Sequence, residues 1–230
     1  QILQVVEETG LDRNTPLIIS SDHGDWAGDY GLVEKWPNAL DDALTRVPLL
    51  IRTPGGAQGH VVQEQVELFD VMATVLELAG LEARHVHFAE SLVPQLKGAA
   101  GDPERAVYCE GGYDPHETHC FEGRSEMGGI WVSPEHIYYP KGAQQQEHPE
   151  SVCRSAMLRT LEHKLVRRTS GTNELYDLVN DPRETNNVYD DPAYAAVRAQ
   201  LESRMLDWYI HTADAVETEA HPRGLPPSPR

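Results

Sequence analysis

The chain has 230 residues, of which 37 are acidic and 19 basic, giving a formal net charge of −18, and 40% of its residues are hydrophobic. This hydrophobic fraction is enough for a soluble protein with a sizeable core, whereas the negative charge repels nucleic acid and anionic membranes. No apolar run approaches the roughly 20 residues of a membrane-spanning helix, and the amino end lacks a signal-peptide pattern. We therefore expect neither a nucleic-acid nor a membrane partner. Homo-oligomerisation and localisation stay open, with the cytoplasm favoured over export.

The amino-terminal part predicts one helix and two strands. Residues 1–10 have the apolar spacing of an amphipathic helix that ends at Gly10. Because the chain begins inside this helix and without Met, we expect it to be the later part of a longer protein. Two short apolar runs follow, 17–19 and 47–51, and each is typical of a strand buried on both faces of a parallel sheet. The long loop between them is of the kind that carries function.

A second helix is predicted over residues 66–79, with Gly80 as its stop. Its polar residues fall three and four positions apart and form one narrow stripe on an otherwise apolar cylinder: Glu67, Asp70, Thr74 and Glu77. Such a helix is expected to be largely buried, against the sheet that carries the two strands. Up to about residue 100 the order of elements is therefore strand, loop, strand and helix.

The rest of the chain predicts an irregular segment and then a small α+β unit. Residues 101–150 are rich in Gly, Pro, His and Glu, which indicates a long excursion with one strand at 106–108. Turn signals separate three short strands of an antiparallel meander: 155–161, 164–168 and 174–178. A final helix begins at Asp191-Pro192, and its apolar stripe is expected to pack on the meander. The proline-rich end from Glu217 is predicted to be disordered.

The chain has three cysteines, an odd number at irregular spacing: Cys109, Cys120 and Cys153. This argues against a disulfide framework and against a zinc site made of four cysteines. Free, mostly buried thiols are the favoured interpretation. A bridge between Cys109 and Cys120 stays open for an exported protein.

The chemistry is concentrated where the first strand ends. Asp22 and His23 follow that strand, at the edge where open α/β sheets bind ligands, and Gly24 permits a turn that aims both side chains at one divalent ion. Lys35 lies beyond the glycines of a bend that can fold back towards the strand end. Its ammonium group would there bind an anionic tetrahedral group and offset charge that develops on the oxygens.

Two ligands do not complete a calcium or magnesium site. Asp25 and Asp29 are candidates by proximity, but further ligands are expected in the amino-terminal part that this chain lacks. Each residue also has a structural interpretation: Asp-His-Gly can be a turn with an Asx-type hydrogen bond, and a loop lysine is usually a solvated surface charge. Arg46, before the second strand, is predicted to pair with a neighbouring acid. The joint pattern, rather than any single residue, favours a site.

Three stretches combine into a longer pattern: Ser-Asp-His-Gly (21–24), Gly-Asp-Tyr-Gly-Leu-Val-Glu-Lys (28–35) and Arg-Val-Pro-Leu-Leu-Ile-Arg-Thr-Pro-Gly (46–55). In this order and spacing they resemble the carboxyl-terminal half of a type I sulfatase, the formylglycine-dependent branch of the alkaline phosphatase superfamily. The similarity continues through three further segments: 66–80, 91–96 and 173–187. It covers most of the chain apart from roughly residues 110 to 150.

The resemblance implies an α/β fold: part of an alkaline-phosphatase-like sandwich, with a mainly parallel sheet and helices, followed by a small antiparallel sheet packed on a helix. It implies that Asp22 and His23 bind a divalent cation, with calcium favoured and magnesium or manganese as alternatives. Lys35 is implied to contact the sulfate or phosphate group. His116 and His119 lie in a variable His- and Glu-rich segment and are implied to contact the substrate or its leaving group.

In that family the nucleophile is a formylglycine made in a Cys/Ser-x-Pro-x-Arg motif, and none of the three cysteines stands in such a motif. The nucleophile and an Asp-Asp pair of metal ligands are therefore expected before Gln1, and the 230 residues alone are predicted to be inactive. The stretch 37–42 also lacks the aromatic-Glu pair that often follows the lysine. The resemblance also implies four parts. Residues 1–100 are the end of the catalytic domain, 101–154 a substrate-side excursion, 155–213 a small α+β subdomain and 214–230 a tail.

The leading functional hypothesis is that this is the carboxyl-terminal segment of a metal-dependent sulfuric ester hydrolase that acts on small-molecule sulfate esters. A phosphonate or phosphate ester hydrolase of the same superfamily is the first alternative, because one cationic site serves both tetrahedral groups. A non-catalytic sulfatase-like module is the second.

Overall fold

The computed structural model describes residues 1–122 and 133–213, so the predicted disordered tail lies outside the described residues. The fold is α/β and divides into two compact units, each discontinuous in sequence. The first unit holds Gln1–Ser20, Pro48–Val107 and the chain from Glu202; the second holds Ser21–Val47 and Tyr108–Leu201. Among the described helices, none is both long and apolar enough to cross a membrane.

The first unit contains the two predicted amino-terminal strands, but they do not form a parallel sheet. Its elements are α1 (Ile2–Glu8), β1 (Leu17–Ser20), β4 (Leu49–Arg52), α3 (Asp70–Leu78) and α4 (Val93–Leu96), with a 3-10 turn at Leu11–Arg13. β1 and β4 pair antiparallel as a two-stranded sheet, with Ile18 opposite Ile51. The prediction of strands buried on both faces was wrong: Ile19 and Leu50 are 47% and 58% exposed. A two-stranded ribbon leaves one apolar side of each strand uncovered within this unit.

Helix α3 confirms a helix in the predicted range, but it begins at Asp70 and is less buried than expected. Gly80 ends it in the left-handed conformation (φ +66°). The polar residues Asp70 and Thr74 are fully buried, whereas the apolar Val75 is 44% exposed. The reason is a set of backbone contacts: Asp70 accepts the N–H of Glu90 (2.8 Å), and Thr74 Oγ1 accepts the N–H of Leu92 (2.9 Å). Asp70 and Thr74 therefore hold a loop rather than facing water.

The second unit is built on a four-stranded sheet in the order β5-β6-β7-β8. The strands are β5 (Val107–Gly111), β6 (Ser155–Arg159), β7 (His163–Arg168) and β8 (Glu174–Asp177). The predicted antiparallel meander β6-β7-β8 is confirmed, with Met157 opposite Val166 and Leu165 opposite Leu175. These four residues are all buried.

The remaining elements of the second unit are short. They are β2 (Trp26–Ala27), β3 (Val33–Glu34), α2 (Asp42–Thr45), α5 (Tyr139–Glu147) and 3-10 turns at Asp29–Gly31, Thr118–Cys120, Pro149–Val152 and Pro192–Tyr194. Asp191 caps the last of these turns by accepting the N–H of Ala193, as predicted, and α6 (Ala195–Thr212) follows. Leu201 and Met205 of its predicted apolar stripe are buried. The three cysteines, all among the described residues, form no disulfide bond, and Cys153 is buried.

Candidate active site

A short hairpin brings Lys35 back beside His23. β2 and β3 pair antiparallel, with Trp26 opposite Glu34. Gly28 and Gly31 have positive φ values (110° and 74°), which a residue with a side chain rarely adopts, so the prediction of a glycine bend that folds back is confirmed. Trp26 anchors the hairpin, since its ring is buried and its Nε1 donates to Asp41 Oδ1 (2.9 Å).

Asp22 and His23 lie in the turn after β1, and both present ligand atoms. The backbone N–H of His23 donates to Asp22 Oδ1 (3.0 Å), which holds the pKa of that exposed carboxyl below its usual value. His23 Nδ1 lies 2.8 Å from the carbonyl oxygen of Gly24. A neutral imidazole that donates from Nδ1 has its lone pair on Nε2, and this is the form that coordinates a metal ion.

Lys35 approaches the same imidazole nitrogen. Its Nζ lies 2.8 Å from His23 Nε2, and Asp22 Oδ2 lies 3.6 Å from that nitrogen. The three side chains predicted from sequence as site residues therefore converge on one point. A carboxylate, an imidazole and an ammonium group within this distance can hold a cation and an anion side by side.

The donor set of Asp22 and His23 fits a divalent cation. One carboxylate oxygen and one imidazole nitrogen 3.6 Å apart have the spacing of two adjacent ligands around an ion whose bonds are about 2.3–2.6 Å long. Among the described residues, no group of three or more His, Cys, Asp or Glu side chains is arranged to hold a metal ion. Asp29 accepts the N–H of Ala27 (3.2 Å) within the bend, and Asp25 is exposed.

The two other predicted site residues lie on the excursion. His116 is exposed, and its Nδ1 contacts Asp114 Oδ1 (2.8 Å). His119 is exposed in the 3-10 turn Thr118–Cys120. Both belong to the same compact unit as Asp22, His23 and Lys35, and no contact joins either histidine to them in the described structure. Their predicted role in substrate binding stays a prediction.

A cluster of buried charged residues packs behind the site, and the sequence analysis did not predict it. Lys164, on β7, has no exposed surface and contacts Asp42 Oδ1 (2.6 Å), Glu184 Oε1 and the Leu40 carbonyl oxygen (3.1 Å). Arg159 forms a bidentate salt bridge with Asp42 (Nε to Oδ1, 3.0 Å; Nη2 to Oδ2, 2.9 Å). Arg46 was predicted to pair with an acid, and it does: its exposed side chain places Nη1 3.9 Å from Asp42 Oδ2.

This cluster is connected to the ligand turn through α2. Asp42 begins α2, and its N–H donates to Glu184 Oε2 (2.9 Å). At the other end of α2, the Leu44 carbonyl oxygen accepts the N–H of Gly24 (2.8 Å). A Cβ on Gly24 would lie 1.9 Å from the Ala43 carbonyl oxygen, so only glycine lets the turn approach so closely.

Two family models match the chain. A model described as Sulfatase covers residues 1–81, and a model described as N-sulphoglucosamine sulphohydrolase, C-terminal, covers residues 131–210. The uncharacterized sulfatase YidJ of Escherichia coli K12 is 30% identical over 196 residues, which are 85% of this chain and 32% of that protein. The chain belongs to the sulfatase family of the alkaline phosphatase superfamily. It matches the carboxyl-terminal region of these sulfatases.

Two further relatives place this sulfatase chain within the superfamily. The multifunctional alkaline phosphatase superfamily protein PehA of Trinickia caryophylli is 26% identical over 98% of the chain and 40% of its own length. The phosphonate monoester hydrolase of Agrobacterium radiobacter has the same fold, with a TM-score of 0.72 and 27% identity over 99% of this chain and 42% of that one. The sulfatase chain thus spans less than half the length of each of these relatives.

Proposed function

We propose that the protein containing this chain is a metal-dependent sulfatase that hydrolyses small-molecule sulfate esters. The observation that carries the proposal is the convergence of Asp22, His23 and Lys35 at one nitrogen atom, His23 Nε2. Membership of the sulfatase family supports it. A carboxylate and an imidazole beside an ammonium group suit a substrate with a negatively charged tetrahedral end and a cation that binds it.

Each residue has a definite role in this proposal. Asp22 Oδ2 and His23 Nε2 would hold the divalent cation, with calcium favoured and magnesium or manganese as alternatives. Such a cation, when bound, offsets negative charge on the sulfate oxygens. Lys35 Nζ donates to one of those oxygens and stabilises the charge that develops there as the ester bond breaks. His116 and His119 would contact the leaving group from the excursion.

The attacking group is proposed to come from outside the 230 residues. No cysteine or serine of the chain stands in a Cys/Ser-x-Pro-x-Arg motif, so the chain's own residues do not supply the formylglycine of type I sulfatases. The remaining metal ligands are proposed to come from outside as well, since the described part of the chain brings no third His, Cys, Asp or Glu side chain to Asp22 and His23. On this proposal the chain provides the anion-binding half of a composite active site.

A second candidate function is hydrolysis of phosphonate monoesters. The similarity to the phosphonate monoester hydrolase of Agrobacterium radiobacter, which extends over nearly the whole chain, favours it. Lys35 and the cation would serve a phosphonate group as well as a sulfate group, because both present anionic oxygens in a tetrahedron.

The test is a rate comparison in the full-length protein. Sulfate release from 4-nitrophenyl sulfate and from sulfated monosaccharides is measured beside hydrolysis of 4-nitrophenyl phenylphosphonate, for the unmodified protein and for Lys35→Ala. We expect sulfate esters to be the faster substrates and Lys35→Ala to lower kcat/KM about 10²- to 10³-fold, as for loss of one transition-state donor. The matched control is Lys97→Ala, which removes an exposed lysine of the other unit.

Three results would count against the proposal in different ways. Faster turnover of the phosphonate ester would favour the second candidate. An unchanged rate in Lys35→Ala would assign Lys35 to the solvated surface. Hydrolysis of none of the substrates by the full-length protein would support a non-catalytic module.

A further inference from the structure

Lys141, on α5, contacts the peptide that carries Lys35. Its Nζ donates to the Lys35 carbonyl oxygen (2.5 Å) and to Glu34 Oε2 (2.8 Å), and its side chain is only 20% exposed. The same ammonium group lies 6.0 Å from the centre of the Trp36 ring. One side chain thus contacts three consecutive residues, of which the middle one is the proposed anion-binding lysine.

The backbone at this point needs such support. Glu34 has a φ of +66°, which a residue with a side chain rarely adopts, and it directly precedes Lys35. A left-handed residue persists only where surrounding contacts determine it. Lys141 supplies two of these contacts, one to the Glu34 side chain and one to the next carbonyl oxygen.

The charge of Lys141 also matters for where the Lys35 side chain points. Burial works to raise the pKa of Glu34, but hydrogen bonds from Lys141 and Tyr138 outweigh it, so that its pKa lies below the usual value. Glu34 is therefore a carboxylate at neutral pH, next to Lys35 in the chain. Without Lys141 this carboxylate would compete with the substrate anion for the Lys35 ammonium group.

Helix α5, which carries Lys141, has a buried anchor of its own. Gln145, one turn beyond, is fully buried: its Oε1 accepts the N–H of Glu122 (2.9 Å) and its Nε2 donates to Glu122 Oε2 (3.0 Å). The segment after α5 is tied down as well, because Trp36 Nε1 donates to the Ser151 carbonyl oxygen (2.8 Å).

We propose that Lys141 is a positioning residue for Lys35: it fixes the backbone at Glu34 and Lys35 and balances the charge of Glu34, so that the Lys35 ammonium group stays beside His23 and directed at the substrate anion. This inference rests on the proposed function, because it assigns Lys141 to the same site. It assigns a role in the reaction to α5, although this helix carries none of the residues predicted from sequence to bind the metal or the anion.

The test is a double-mutant cycle in the full-length protein, measured as kcat/KM on its fastest substrate. Lys141→Met should lower kcat/KM about 10- to 100-fold through kcat, and Lys141→Arg, which keeps charge and donors, should recover most of the loss. In a Lys35→Ala background, Lys141→Met should cost less than about 2-fold more, because it acts through a side chain that is already gone. Lys97→Met is the matched control on an exposed lysine.

The possible outcomes separate the two proposals. If Lys35→Ala is severely impaired and Lys141→Met is not, the positioning role is wrong and the proposed function stands. If Lys141→Met costs the same factor with and without Lys35, its effect is general destabilisation and the positioning role is again wrong. If neither variant affects the rate, both proposals fail. Should Lys141→Met not fold, Lys141→Gln, which keeps a neutral donor, must show the same dependence on Lys35.

Discussion

Removal of the Lys164 ammonium group should destabilise the protein strongly and in a pH-dependent way. In the buried cluster two cations, Lys164 and Arg159, balance two carboxylates, Asp42 and Glu184. Lys164→Met keeps a similar apolar stem but leaves two carboxylates with one cation. Arg159 still pairs with Asp42, so Glu184, which has almost no exposed surface, is left without an ion-pair partner among the cluster residues.

The size of the loss follows from the burial of Glu184. Breaking a buried ion pair by removing one partner costs about 3–5 kcal/mol, against a total stability of about 5–15 kcal/mol for a typical domain. Burial already raises the pKa of Glu184 above its usual value of 4.5, even with Lys164 beside it. Without Lys164 that pKa rises further, and protonation of Glu184 at lower pH removes the destabilisation caused by its buried charge.

The sign of the pH dependence is therefore fixed. A carboxyl whose pKa is higher in the folded than in the unfolded protein destabilises the fold at pH values above both, and this cost vanishes as the pH falls below the unfolded value. The loss of unfolding free energy caused by Lys164→Met should be largest near pH 7.5 and should shrink by more than about 1 kcal/mol towards pH 4.5.

The measurement is urea unfolding of the full-length protein at both pH values, followed by tryptophan fluorescence, since Trp26 and Trp36 lie in the same unit as the cluster. Lys164→Met with Glu184→Gln is the rescue variant, because it removes the unpaired charge; it should be more stable than Lys164→Met alone at pH 7.5. Equal losses at the two pH values, or a double variant no more stable than the single one, would refute the assignment of the loss to an unpaired Glu184.

Two predictions concern the ligand turn itself. Asp22→Asn should weaken calcium binding by the full-length protein at least about 10-fold in isothermal titration while leaving the urea midpoint within experimental error, because Asp22 is exposed and contributes charge rather than packing; unchanged calcium affinity would show that Asp22 is not a ligand. Gly24→Ala should both lower the urea midpoint and weaken calcium binding, since a Cβ there would lie 1.9 Å from the Ala43 carbonyl oxygen. A Gly24→Ala protein with normal stability and calcium affinity would contradict the close approach of the turn to α2.

The parts of the fold that were predicted from sequence are those set by local rules. The Asp191 cap and the apolar stripe of α6 depend on residues a few positions apart, and so does the glycine bend that returns Lys35 to His23. The three converging site residues lie within 14 positions of one another, from Asp22 to Lys35. A single short hairpin was therefore enough to bring them together.

The parts that were not predicted depend on partners far away in the sequence. The pairing direction of β1 and β4 is set by the path of the connection between them, which the composition of either strand does not reveal. In α3, Asp70 belongs to the polar stripe, yet it is fully buried, and Arg105, 35 positions later, binds its carboxylate (2.8 Å). A polar stripe on a helix indicates solvent only when no cation or backbone donor from elsewhere reaches it.

The same distinction applies within the active site. Ligand atoms can be recognised from sequence because metal and anion binding need particular residue types, whereas the groups that hold them can be any residues that neutralise a charge or bind a backbone atom. Lys164 lies in a strand that reads His-Lys-Leu-Val-Arg-Arg, where nothing marks one lysine as buried. Yet through Asp42, α2 and the hydrogen bond from Gly24 to Leu44, that lysine is connected to the turn that presents Asp22 and His23. A ligand pair in the short segment between β1 and β2 gains little order from its own contacts, so its geometry depends on a rigid support. Here the support is a set of buried charges, of which Arg159, Lys164 and Glu184 lie more than 100 positions from the turn along the chain.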